Sequence, residues 1–293
     1  MILDKFPDPD EFYKTYWGRK PFVVRRGIDP SLFEGFIDGD TLAGLSLEEE
    51  IKSRIIITAP EGGQWQCEHG PFEESRFSAL GDYNWSLLVQ NVDRYHPETA
   101  ALLEHFNFSP RWLLDDIMVS YSAVGGSVGP HTDSYHVFLV QGIGRRSWRI
   151  ANDPIENEEG IEGLDLKVLK DGFDGQEVEV TVGDVIYLPP NFAHEGVTLE
   201  EAMTFSVGFL GPKISELFIE YGYYLEEMET DNARYLGQGL NAQSAGVEVT
   251  SQASSTICHM MKESLELNNF ERWLVQYFAR LEPEEDEGEY EQD

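Results

Sequence analysis

The spacing of apolar residues changes twice along the chain, and the changes divide it into three stretches. In the first, helical and alternating patterns take turns. Residues 8–18 place Phe12, Tyr16 and Trp17 on one face of a short helix that Asp8 or Asp10 can cap. Pro21–Gly27 reads as a strand ending in a glycine turn, and Ser53–Thr58 and Trp85–Gln90 read as further strands. Thr41–Ser53 looks helical with Asp40 as its cap, and Pro97–Phe106 predicts another helix.

From about Asp115 to Phe209 the texture is that of a barrel or sandwich: short β-branched and aromatic runs between Gly and Pro turns. These runs predict strands over 115–122, 131–141, 146–150, 177–181, 184–188 and 202–209, with the acidic, Gly-rich stretch 151–175 as an insertion loop. After Gly211-Pro212 helical spacing returns. Leu217, Phe218, Tyr221, Tyr224 and Leu225 share a face over 214–228, a polar loop spans 237–252, and Ile257–Leu281 carries two more helical patterns. No internal repeat is visible.

Composition narrows this picture. With 293 residues, 41% of them hydrophobic, the chain can bury a large core. It has no apolar run long enough for a membrane span and no signal-peptide order at its N-terminus. Cys67 and Cys258, far apart, do not make a disulfide framework, which points to a reducing cytoplasm. Cys258, within an amphipathic helical pattern, reads as buried and inert. The net charge of −33 repels nucleic acid and anionic membranes. It either draws in a basic partner or serves solubility. Glu282–Asp293 holds eight acids and no base and reads as a disordered tail; without it the net charge is still −25.

Three segments carry candidate chemistry. In Gly129-Pro130-His131-Thr132-Asp133-Ser134-Tyr135, strand alternation turns His131, Asp133 and Tyr135 to one side. Alone, His-x-Asp is a weak signal. In the second segment, Gly183-Asp184 turns into a buried strand, Pro189-Pro190 ends it, and His194 follows. Two imidazoles and one carboxylate make a facial triad with open positions, the arrangement of non-haem iron(II) oxygenases, whereas zinc more usually takes sulfur or four ligands. The third segment, Gly142-Ile143-Gly144-Arg145-Arg146-Ser147-Trp148-Arg149-Ile150, reads as a glycine turn leading into a strand on which Arg146 shares the apolar face of Trp148 and Ile150. An inward arginine needs an anion, and the distal carboxylate of 2-oxoglutarate fits. Ser122 ends a neighbouring strand and can add a hydroxyl. His69 and His136 have structural readings, with His136 on the strand face opposite His131.

These segments resemble the JmjC-type ribosomal oxygenases of bacteria. The matching runs are Tyr16-Trp17-Gly18-Arg19-Lys20-Pro21, Asn84–Gln90, Gly129–Asp133, Gln141–Arg146 and His194-Glu195-Gly196, together spanning roughly residues 10 to 210. The resemblance implies a fold that is mainly β with α: a double-stranded β-helix (JmjC/cupin) core over 1–210, then a helical dimerisation module over 211–281. It implies iron(II) on His131, Asp133 and His194, with 2-oxoglutarate and O2 as cosubstrates. The 2-oxoglutarate tail falls to Arg146 and Ser122, and a substrate arginine of a large-subunit ribosomal protein to Asp116, Met118, Tyr135 and Ser206. It also implies a homodimer. Members of the family often continue into a winged-helix-like domain, and here the sequence departs from them, since an acidic tail follows the helical module. Two alternatives remain at this point. One is a hydroxylase of histidine or asparagine in another protein, and the other is a non-catalytic metal-binding cupin.

Overall fold

After a two-residue strand, β1 (Ile2–Leu3), the Asp8 carboxylate accepts the Glu11 amide at 3.0 Å and Pro9 occupies the first helical turn of α1 (Pro9–Glu11). The helix runs on as a wider π-type turn over Phe12–Tyr16, which buries Phe12. β2 (Phe22–Val24) follows, then α2 (Gly39–Leu45), whose cap is Asp38, not Asp40: its carboxylate accepts the Thr41 amide at 2.8 Å. This helix also stops at Leu45, well short of residue 53. Next come β3 (Ser53–Ile57), β4 (Gln66–His69), α3 (Glu74–Ser78), β5 (Trp85–Val89) and α4 (Pro97–Ala101). The β-rich part holds β6 (Leu114–Ser122), β7 (His136–Ala151), β8 (Gly175–Val180), β9 (Val185–Leu188) and β10 (His194–Phe209). Helices α5 (Ile214–Glu227), α6 (Ser251–Glu266) and α7 (Asn268–Leu281) complete the order. The computed structural model describes residues 2–58, 64–155, 160–161, 166–228, 232–238, 240, 249–266 and 268–281. The acidic stretch 282–293 lies outside them, as does most of the 237–252 loop. Two compact units divide the chain, Met1–Leu210 and Gly211–Asp293.

The first unit is built on two long strands. β10 pairs antiparallel with β7 along nearly its whole length. On its other side, the first half of β7 pairs with β9 and the second half with β8. β10 passes on to β6, β5, β3 and β4, while β9 passes to β2 and β1. Two sheets that share the same pair of strands form a double-stranded β-helix, the expected fold class.

The separate strands expected over 131–141 and 146–150 are one strand, and Gly142–Gly144 is not a turn. At Gly144 the chain takes φ +67° and the register to β10 shifts. A Cβ there would collide with the Glu201 carbonyl. The bulge also reverses which parity faces inward: Val137 and Leu139 line the cavity before it, Arg146 and Trp148 after it. The intervening residues of the first half, Phe138 and Val140, point outward into the main core with Phe12, Phe22, Phe106, Tyr187 and Phe209. The N-terminal elements thus cover the outside of one sheet and leave its inside open as a pocket.

Other expectations shift as well. His131–Tyr135 is irregular chain tied down by an isolated bridge between His131 and His194, and β7 begins only at His136. The last strand starts at His194, not residue 202. Part of the 151–175 insertion is packed: Val168 and Leu169 are buried, and the Leu169 amide donates to the Pro130 carbonyl at 2.7 Å. Cys258 is exposed. In the second unit, Tyr221 on α5 is buried, meets Phe270 edge to face and Trp273 at a tilt, and donates its hydroxyl to the Ser264 carbonyl.

Candidate active site

The inner wall of the β-helix follows strand parity. β6 contributes Asp116, Met118 and Ser120; β10 contributes His194, Thr204 and Ser206; β7 contributes Val137, Leu139, Arg146 and Trp148. The intervening residues Ile117, Val119, Phe205 and Val207 sit in the opposite core. The cavity is about 520 Å³ and is also lined by His131, Thr132, Asp133, Tyr135, Leu166 and Lys167.

Its most ordered feature is the cluster of His131, Asp133 and His194, whose ligand atoms lie within 4.8 Å of one another. His194 Nε2 is 3.5 Å from Asp133 Oδ2, and the two imidazole centroids are 4.2 Å apart. His131 Nδ1 lies 2.9 Å from the Gly129 carbonyl and His194 Nδ1 lies 3.0 Å from the Phe192 carbonyl. A carbonyl can only accept, so each Nδ1 carries the proton and each Nε2 turns a lone pair toward the cluster. Burial, with His131 alongside, pushes His194 down to about 4, so it is neutral at pH 7 and able to bind a metal. Main-chain bonds hold the set together. His131 and His194 exchange amide–carbonyl bonds of 3.0 and 2.9 Å, and the Asp133 carbonyl accepts the Asn191 amide at 2.7 Å. Asn191 sits at φ +65°, where asparagine is among the better-tolerated residues. Two imidazoles and one carboxylate, with no cysteine in the cluster among the described residues, suit iron(II) and leave coordination positions free.

Arg146 faces the same cavity and is 4% exposed. Its terminal nitrogens reach Thr204 Oγ1 and the Gly196 carbonyl at 3.3 Å each, and its guanidinium lies 5.0 Å from the Trp148 ring centroid. Nε has no hydrogen-bond partner, and no carboxylate pairs with the group among the described residues. Burial pushes its pKa down to about 10. A buried guanidinium with weak neutral contacts is half of an ion pair, and the other half fits a ligand carboxylate. Together, the donor set and the orphaned guanidinium fit iron(II) and 2-oxoglutarate.

At the other end of the cavity wall lies a group of acids. Asp116 is pushed up to about 6 by burial and by neighbouring Asp115 and Asp93, against the Asn91 amide, which donates to it at 3.0 Å. Tyr135 is also raised, first by burial and then by Asp133 and Asp116. Asp116, Met118, Tyr135 and Ser206 all line the cavity. Ser122 does not. It is fully buried beyond the wall, and its hydroxyl donates to Ser86 Oγ at 2.7 Å. Ser120, one step earlier on the same face, occupies the wall position that the sequence reading gave to Ser122. His136 is engaged elsewhere: it stacks on Trp17 at 3.6 Å, and its Nδ1 lies 2.8 Å from the Tyr187 hydroxyl. Lys167 and Arg54, also on the wall, carried no sequence signal that would have singled them out.

The chain is similar to several known proteins. A family model described as JmjC domain matches residues 101–217. The chain is 37% identical over 281 residues to the ribosomal protein uL16 3-hydroxylase of Escherichia coli, covering 94% of this chain and 72% of that protein. A probable ribosomal oxygenase of Haemophilus influenzae is 37% identical over 74% of this chain and 53% of its own length. Among solved structures, the X-ray structure of E. coli YcfD superposes with a TM-score of 0.79 at 37% identity, covering 94% of this chain and 72% of that one. YcfD in complex with cobalt and 2-oxoglutarate superposes with a TM-score of 0.74 at 36% identity, over 92% and 70% of the two chains.

Proposed function

Because this chain belongs to the JmjC-type ribosomal oxygenases, we propose that it is an iron(II)- and 2-oxoglutarate-dependent hydroxylase of an arginine side chain in a large-subunit ribosomal protein, uL16 or its counterpart. The observation that carries this reading is Arg146, a buried cation with no counter-ion among the described residues, in the same cavity as a His-Asp-His set. A plain metal-binding cupin has no need of it.

His131, Asp133 and His194 would hold the metal. Iron(II) and 2-oxoglutarate, when bound, supply the activation of O2: the keto acid leaves as succinate and CO2, and one oxygen atom enters a substrate C–H bond. The protein supplies position and shelter. Arg146 fixes the far carboxylate of the cosubstrate through its two-pronged fork, with Ser120 lining the same cavity. Trp148 lies between clamp and metal set, and Val137 and Leu139 add apolar surface to the same cavity. Asp116, with Asp115 beside it, offers a carboxylate to a guanidinium, while Met118 and Tyr135 flank the aliphatic stem. A pair of acids favours a permanently charged arginine over a neutral imidazole or amide. The acidic surface speeds encounter with a basic ribosomal protein, and a ribosomal substrate is consistent with an enzyme of the cytoplasm. Residues 1–210 act as the oxygenase domain and 211–281 as a dimerisation module. The exposed apolar side chains Ile214, Phe218, Ile219, Tyr223, Met261 and Val275 give that module a surface for a second copy.

Incubation of the iron-loaded protein with 2-oxoglutarate and uL16 peptides tests the reading. A product heavier by one oxygen on an arginine, with matching succinate, is expected. Modification of histidine or asparagine instead, or no 2-oxoglutarate binding by the metal-loaded protein, would overturn it.

A further inference from the structure

Three buried side-chain atoms lack a hydrogen-bond partner among the described residues, and they lie together: Arg146 Nε, Trp148 Nε1 and Thr198 Oγ1. Thr198 faces Arg146 across the β7–β10 ladder, and Gly196 faces Trp148. An indole N–H has one hydrogen to give and no acceptor capacity, so burying it unpaired is costly. Trp148 is only 4% exposed, yet it lines the cavity; Thr198 is equally buried but off the wall. The indole ring is held firmly. It lies on Gly196, where a Cβ would come within 2.8 Å of the six-membered ring. It also stands between the two ends of the site, 5.0 Å from the Arg146 guanidinium carbon and 6.0 Å from the His194 ring centroid.

Building on the function proposed above, we infer that the indole N–H of Trp148 is a second, uncharged hydrogen-bond donor to the bound 2-oxoglutarate. Arg146 provides charge and Trp148 provides direction. The guanidinium accepts any carboxylate within reach, whereas a single N–H fixed in the plane of an immobile ring selects one orientation of the chain between the clamp and the metal. Trp148 therefore acts as a specificity-determining residue for the dicarboxylate.

The test uses the full chain loaded with zinc(II), which is diamagnetic, and labelled with 15N at its six tryptophans. The Trp148 indole resonance is assigned by contacts to the Gly196 α-protons, and independently by its loss in Trp148→Phe. Adding 2-oxoglutarate should move that N–H downfield and slow its exchange with solvent. By calorimetry, Trp148→Phe should bind 2-oxoglutarate about tenfold more weakly, the loss of one hydrogen bond to a charged acceptor, while Thr198→Val should bind as the wild type does. If calorimetry shows binding while the Trp148 resonance stays in place, the inference fails and the proposed function stands. If 2-oxoglutarate does not bind the wild type at all, both fail. The wild-type spectrum decides the matter even if Trp148→Phe does not fold.

Discussion

Replacing Arg146 with Met should move two quantities in opposite directions. Without ligand, the guanidinium is buried with two 3.3 Å contacts and an orphaned Nε, and burial lowers its pKa from 12.5 to about 10. A folded-state pKa below the unfolded one means that the charged form is penalised in the fold at every pH below about 10. The difference corresponds to roughly 3 kcal/mol of stability withheld at pH 7. Methionine keeps the unbranched stem and removes the charge. It forfeits the cation–π contact with Trp148, worth about 0.5–2 kcal/mol. The metal-loaded, 2-oxoglutarate-free variant should therefore be more stable by about 1–2 kcal/mol, or several degrees in melting temperature. With 2-oxoglutarate at a hundred times its Kd, the wild type gains about 2.7 kcal/mol, and the variant should gain close to nothing. Scanning calorimetry with and without 2-oxoglutarate reads both effects. Should Arg146→Met keep the wild-type ligand shift, the clamp assignment is wrong. Should it lose several kcal/mol without ligand, the arginine is a satisfied structural group and the argument from its missing partner collapses.

His131→Ala and Asp133→Ala should leave the circular dichroism spectrum unchanged while abolishing metal retention and substrate-coupled succinate formation; turnover in either folded variant would refute the ligand set. Asp116, raised to about 6, is mostly ionised at pH 7. The KM for an arginine peptide should therefore climb as pH falls through 6, and a flat KM between pH 5 and 7 would remove Asp116 from substrate binding. Asp116→Asn should lower kcat/KM by about thirtyfold or more, the cost of breaking one side of a buried charge pair. Gly144→Ala meets the Glu201 carbonyl at a positive φ and should cost about 3 kcal/mol in urea denaturation. Gly44→Ala, in helix α2 with nothing within 4 Å of its added methyl, should instead gain about 0.5–1 kcal/mol.

Much of the site was legible because strand parity is a strict rule. Residues 116, 118 and 120 were readable as one face, and the polarity of Arg146 among Trp148 and Ile150 marked it as an inward charge in need of an anion. Parity does not say where a cavity ends, however. Ser122 obeys the same alternation and still lies past the wall, paired with Ser86 on β5, a contact made by a strand more than thirty residues away in sequence. The bulge at Gly144 was misread as a turn because Gly-Ile-Gly has the composition of both. What distinguishes them is pairing with β10, a long-range property. The two-residue β1 and the edge strand β4 carry too few residues for a period to show. The burial of Val168 and Leu169 was hidden for a similar reason: an acidic, Gly-rich neighbourhood masks two apolar residues that pack beside Pro130.

His131 and Asp133 converge for a reason that strand alternation does not supply: the chain over 131–135 is irregular. Their convergence comes instead from main-chain bonds: the reciprocal His131–His194 bridge, the Asn191 amide on the Asp133 carbonyl, and the Gly129 and Phe192 carbonyls that orient each imidazole. All of these are bonds within the protein, so the backbone itself sets the direction of each side chain. The same bonds anchor the start of β10, the strand whose residue Thr198 faces Arg146 four positions on, about 13 Å along the ladder. His194 and Arg146 therefore belong to one strand pair, and their separation is fixed by its register.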